Sequence, residues 1–99
     1  MYMLCLNTKL RLNGIFEVSH GNVNSSICSS REIFQKALLG NAVSIILIHN
    51  HPSGDCTPSR EDIKVTEKLK EAGKIVGVEV LDHIIIGQSY CSLKEKGYV

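Results

Sequence analysis

The sequence predicts an α/β domain, a mixed β-sheet flanked by two helices. Strand-like and helix-like segments alternate in the order β, β, α, β, α, β, β. The run "VSIILIHN" at 43–50 is short, β-branched and uninterrupted, as in a strand covered on both faces. A length of 99 residues, 43% of them hydrophobic and 21% charged, supports one core and one domain, 1–99.

Each element follows from its own residues. Tyr2 to Leu6 is an apolar, strand-like run, Asn7-Thr8-Lys9 reads as a turn, and Ile15 to Val18 resumes β character before Gly21 and Asn22, which together suggest a hairpin. The period then changes. In "SSREIFQKALLGNA" Ser29 is placed to cap with Glu32 in a capping box, Ile33, Phe34, Ala37 and Leu38 share a face, and Gly40 can terminate the helix. The β-branched run follows and delivers the chain to His49. After Gly54 and Pro58, "SREDIKVTEKLKEAGK" puts Val65, Leu69 and Ala72 on one helical face, with Gly73 expected to stop it. "GVEVL", "HIIIG" and "YCSL" complete the strands. There is no internal repeat and no linker.

Composition removes several function classes. A net charge of +1 and a pI near 7.7 give no strong positive field, so direct nucleic-acid binding is not suggested. No apolar run approaches the roughly 18 residues of a membrane span, and the N-terminus lacks a charged-then-apolar leader, so the expected compartment is the cytoplasm. Cys5, Cys28, Cys56 and Cys91 form no C-x-x-C pair and are expected to be reduced thiols. His20, beside Gly21, reads as an exposed loop residue.

The chemistry is concentrated in "HNHPSGDCTPSRED", residues 49–62. On a strand, residues i and i+2 project from one face, so His49 and His51 can aim two imidazoles at one point while Asn50 faces away. Pro52, Ser53 and Gly54 favour a turn, and Ser59 can cap the second helix with Asp62 at its third position, holding that carboxylate near the histidines. Two nitrogens and one oxygen are the three protein ligands of a catalytic zinc that keeps its fourth position for water. Such a zinc suits hydrolysis of an amide, given a general base and an oxyanion donor, for which Ser59 is a candidate. Each fragment has a plainer explanation: a His-x-His pair alone seldom marks a metal, and Ser-x-x-Asp alone is usually a helix cap. Their conjunction at a strand end shifts the balance.

The string from His49 through His51, Ser59 and Asp62 resembles the JAMM signature, H-x-H-x7-S-x-x-D, of the MPN or JAB-type zinc metalloproteases and isopeptidases. "HNHPSGDCTPSREDIKVTEKL", the preceding "SSREIFQKAL" and "GVEVLDHIIIGQSYCSLKEKGYV" together resemble the RadC family of bacterial JAMM-like proteins across nearly the whole chain. The resemblance implies a three-layer αβα sandwich of the JAB/MPN, cytidine deaminase-like fold. It implies zinc held by His49, His51 and Asp62, with Ser59 beside the metal-bound water. It also brings a DNA-repair family name.

The chain departs from that pattern in three places. JAMM proteases take their general base from a Glu at the start of the first core strand; here that strand is "YMLCLNTK", and the base is expected upstream of Met1 or replaced from within. Glu17 is the first internal candidate and Glu32 the second, although Glu17 is explained as a solvent-facing strand residue and Glu32 as a cap. The family's usual "HPRE" reads "SSRE" here, and the helix-hairpin-helix domain that often precedes the RadC domain is not expected, so the chain reads as a shortened or single-domain homologue. Asp82 or His83 could orient a metal ligand, with a turn-side hydrogen bond the plainer role. Cys56 is expected to be a bystander in the motif loop.

Three functions follow. The first is a zinc-dependent hydrolase acting on a peptide or isopeptide bond of a peptide or protein substrate. The second is a non-catalytic scaffold that binds a partner in DNA-repair or mobile-element functions. The third, nucleobase deamination, needs an H-x-E and a later P-C-x-x-C, and neither occurs in the sequence. A homodimer through an exposed strand edge is left open.

Overall fold

The computed structural model describes residues 1–18 and 29–99; His20 and Cys28 lie outside the described residues. The elements are β1 (Tyr2–Leu6), β2 (Leu12–Glu17), α1 (Ser30–Leu39), β3 (Ser44–Asn50), α2 (Arg60–Val76), β4 (Glu79–Ile86) and β5 (Tyr90–Ser92). They build one five-stranded mixed sheet in the order β2-β1-β3-β4-β5. β3 and β4 are parallel and joined through α2, whereas the other neighbouring pairs are antiparallel. β3 therefore lies at the centre of the sheet, as its uninterrupted β-branched run requires.

Register sorts the side chains by face. Leu47 lies opposite Met3 on one side and His83 on the other, and Ile45 opposite Cys5 and Val80. These residues are buried and face the helices, where Ile33, Phe34 and Ala37 of α1 and Val65 and Leu69 of α2 complete one core. α1 and α2 pack against this same face, so the described residues supply a helical layer and a sheet layer of the expected sandwich. The other face carries Tyr2, Leu4, Ile15, Ile46, Ile48, Ile84 and Ile86 and is half-buried to exposed.

Several local expectations are corrected. Leu38 points outward from α1, 58% exposed, because the buried stripe is Ile33, Phe34 and Ala37 alone. Ser29 caps α1 by accepting from the Glu32 N–H at 3.3 Å, but the Glu32 carboxylate pairs with Lys36 at 3.2 Å. Gly73 does not end α2; the helix runs on to Gly77, whose left-handed φ of 87° closes it. "GVEVL" and "HIIIG" fuse into the single strand β4. Its register shifts once: Ile45 faces Val80 but Ile46 faces Asp82, which leaves Leu81 as an extra residue.

Leu69 is fully buried in the stripe that fixes α2 to the sheet. Leu69→Ala is expected to lower the unfolding free energy by about 3 kcal/mol in a urea titration. A loss below about 1 kcal/mol would show that this stripe does not hold the helix.

Candidate metal centre

The site forms where β3 ends and α2 begins. His49 continues the core-facing parity of Ile45 and Leu47 and is 7% exposed, while Asn50 faces solvent. His51 extends the ladder by one step through its N–H, which donates to the Ile86 carbonyl at 2.9 Å. Its ring is fixed from behind: a carbonyl can only accept, so Nδ1 must donate to the Asp55 carbonyl at 2.8 Å. Nε2 is thereby the nitrogen that His51 turns to the site, as a metal ligand requires.

The loop between the two elements turns tightly. Gly54, at φ +86°, accepts at its carbonyl from the Gln88 N–H at 2.8 Å, and its own N–H donates to the His51 carbonyl at 3.0 Å. A side chain at Gly87 would collide with the Gly54 carbonyl, so only glycine lets the β4–β5 turn approach this closely. Thr57 donates to the Asp55 carboxylate from its N–H at 3.0 Å and its hydroxyl at 2.7 Å, and these bonds hold that carboxyl below its usual range.

Ser59 caps α2 through the expected reciprocal box: its hydroxyl accepts from the Asp62 N–H at 3.1 Å, and its own N–H donates to Asp62 Oδ2 at 2.7 Å. The Asp62 carboxylate is thereby aimed at the strand end. Oδ1 lies 3.1 Å from His49 Nε2, and Oδ2 lies 3.0 Å from His51 Nε2. Among the described residues His49, His51 and Asp62 are the group of ligand-type side chains that could hold a metal ion, with one ligand atom from each lying within 4.8 Å of the others. Burial raises the Asp62 pKa, but hydrogen bonds from His49 and from Ser59 outweigh it and hold the carboxyl well below the ordinary carboxylate range. An ionised oxygen donor facing two imidazole nitrogens is a donor set suited to a divalent transition ion.

Glu17 is not brought to this group. β1 separates β2 from β3, and the register places Glu17 beside Tyr2 and Tyr2 beside Ile48, so Glu17 shares the face opposite that of His49. It is exposed, as a solvent-facing strand residue would be, and Glu32 is committed to Lys36. Cys56 is not a free thiol: it is bridged to Cys91 on β5, with 5.6 Å between Cα atoms and a sequence separation of 35. The expectation of reduced cysteines holds only for buried Cys5 among the described residues, because strand order, which spacing does not reveal, brings Cys91 beside the loop.

The sequence also underrated His83. Asp82 does take the turn-side role, accepting from Ser92 Oγ at 2.6 Å and from the Lys94 N–H at 3.1 Å. His83 instead is fully buried, with Nε2 2.7 Å from His49 Nδ1 and Nδ1 2.6 Å from Thr66 Oγ1. The adjacent "DH" in a strand was the only signal for it.

A family model described as RadC-like JAB domain matches residues 1–98. The chain belongs to this family. It is 56% identical to a UPF0758 protein of Methanosarcina barkeri over 97% of the chain and 42% of that relative. It is 55% identical to a UPF0758 protein of Clostridium botulinum over 98% of the chain and 43% of the relative. To a UPF0758 protein of Geobacillus thermodenitrificans it is 56% identical over 95% of the chain and 42% of the relative. The chain thus spans less than half the length of these curated relatives. No described helix is long and apolar enough to cross a membrane.

Burial pushes the His83 pKa down to about 4, and the neighbouring His49 acts in the same direction. Neutral His83 is the folded form, so its stabilising contribution is complete above the ordinary value of 6.5 and is lost as pH falls toward 4. Asp62 has the same sign in a lower window, below its ordinary 3.8. Urea unfolding of the chelator-treated chain is expected to show about 2 kcal/mol less stability at about pH 4.5 than at about pH 7, and His83→Gln should remove most of that difference. Equal stability at both pH values would contradict this.

Proposed function

We propose that the chain is the catalytic domain of a zinc-dependent hydrolase that cleaves a peptide or isopeptide bond. The observation that carries this is the convergence of His49 Nε2, His51 Nε2 and one Asp62 oxygen on a common point at a strand end. Three protein ligands leave a coordination position for solvent. When bound, zinc supplies a water acidified to a pKa of about 7 and a Lewis acid for the substrate carbonyl.

The chain's own residues contribute orientation. The Asp55 carbonyl holds His51 in the tautomer that offers Nε2. The capping box fixes the Asp62 rotamer, and the Ser59 hydroxyl, exposed at the helix start, accepts from the Asp62 N–H and so keeps its own proton to donate to a developing oxyanion. A net charge of only +1 agrees with a peptide or protein substrate rather than a polyanion.

One observation favours the scaffold alternative, a zinc-stabilised or metal-free domain that binds a partner without hydrolysis. Glu17 faces away from the ligands, so among the described residues the internal candidate for the general base is displaced from the site.

Elemental analysis and hydrolysis of an isopeptide-linked fluorogenic peptide separate the two. The purified chain is expected to carry about one zinc, and both His51→Ala and Asp62→Asn to lose it and to abolish cleavage. Zinc at one equivalent with no cleavage would leave the scaffold; a folded chain that takes up no zinc would refute the hydrolase and leave only a metal-free scaffold.

A further inference from the structure

We infer that Thr66 and His83 are positioning residues that fix the proton order of the metal site, so that His49 presents a bare Nε2 to the ion. This rests on the metal-binding part of the proposal above and deepens it.

The inference follows from counting protons along a buried chain of contacts. Thr66 Oγ1 lies 2.8 Å from the Asp62 main-chain carbonyl and 2.6 Å from His83 Nδ1. A carbonyl has no proton to give, and two oxygen lone pairs at that distance in a dry site would repel, so the single Thr66 proton is committed to Asp62. Thr66 Oγ1 must then accept, and its donor is His83 Nδ1–H. Neutral His83 is left with a bare Nε2, which accepts from His49 Nδ1–H at 2.7 Å. The remaining nitrogen, His49 Nε2, is therefore the one turned to the Asp62 carboxylate, 3.1 Å away, and the proton shared there is the one a cation would displace.

His51 reaches the same state by another route, through the Asp55 carbonyl. His49 sits deeper in the core, where the nearest partner is another imidazole that could donate or accept. Only the hydroxyl anchored to the first turn of α2 removes that ambiguity. Thr66 and His83 are both fully buried, so water cannot substitute for either. The arrangement also couples α2 to β4 through the ligand: one helix residue, Asp62, supplies a carboxylate oxygen to the site and a carbonyl oxygen to the chain that orients His49.

Histidine nitrogen NMR of the unaltered chain reads the proton order directly. His83 is expected as the Nδ1–H tautomer, the less common form of a free imidazole, with and without zinc. Zinc affinity, measured by competition with a chromophoric chelator, is expected to fall on the order of 10-fold in Thr66→Val and to be kept in Thr66→Ser. A His83 spectrum with the proton on Nε2 would overturn the inference, as would a folded Thr66→Val chain that binds zinc as tightly as the parent. If the parent takes up no zinc, the metal reading fails, and the nitrogen spectrum still decides the proton order.

Discussion

The Asp62 carboxylate is the group on which the site depends. It occupies the third position of α2, where free backbone N–H groups and the helix dipole favour an anion. With 2% exposure, an ionised carboxylate left without partners would cost several kcal/mol. Ser59 N–H, His49 and His51 offset that cost, and in doing so they bring the end of β3 to the start of α2. Helix cap and candidate ligand are therefore the same side chain, and a displacement of one displaces the other.

This part of the site was legible in the sequence because every step is local. His49 and His51 share a face by the two-residue period of a strand, and Ser59 and Asp62 meet by the three-residue reach of a capping box. A short central strand fixes where the first pair points. The intervening loop needs only to return, which its Pro and Gly residues permit. The mixed sheet and both helices were legible for the same reason, as was the hydrogen bonding of Asp82 to a turn.

What the sequence concealed depends on register or strand order. Val80 and His83 are three apart in β4, so strict alternation would put them on opposite faces. The extra residue Leu81 changes the parity, and both face the helices. His83 thus enters the core beside His49 by a bulge that no propensity scale registers. Glu17 has the converse history: β character was correctly read there, but its face is set by pairing with Tyr2 and points away from the ligands. The overrun of Gly73 has a tertiary cause as well, since α2 buries that residue against Phe34 and the Val78 carbonyl and ends only where Gly77 can turn left-handed.

The site is also held from a side that contributes no ligand. The His51 N–H bonds to Ile86, the Gly54 carbonyl to the N–H of Gln88, and Cys56 is bridged to Cys91, so three ties fasten the motif loop to the β4–β5 hairpin. The absence of a side chain at Gly87 lets that hairpin approach the loop. β4 in addition carries His83, which touches His49 from within the core. Loop residues between two anchors would otherwise lose conformational freedom only when an ion or substrate arrived, at the expense of affinity. Here the ordering is accomplished during folding, because the same strand that completes the parallel pair also clamps the loop and orients the deeper histidine. A candidate ligand set built on a strand end and a helix start is consequently rigid where it must be, and the chemistry it can support follows from the packing of β4 as much as from the three residues that could hold an ion.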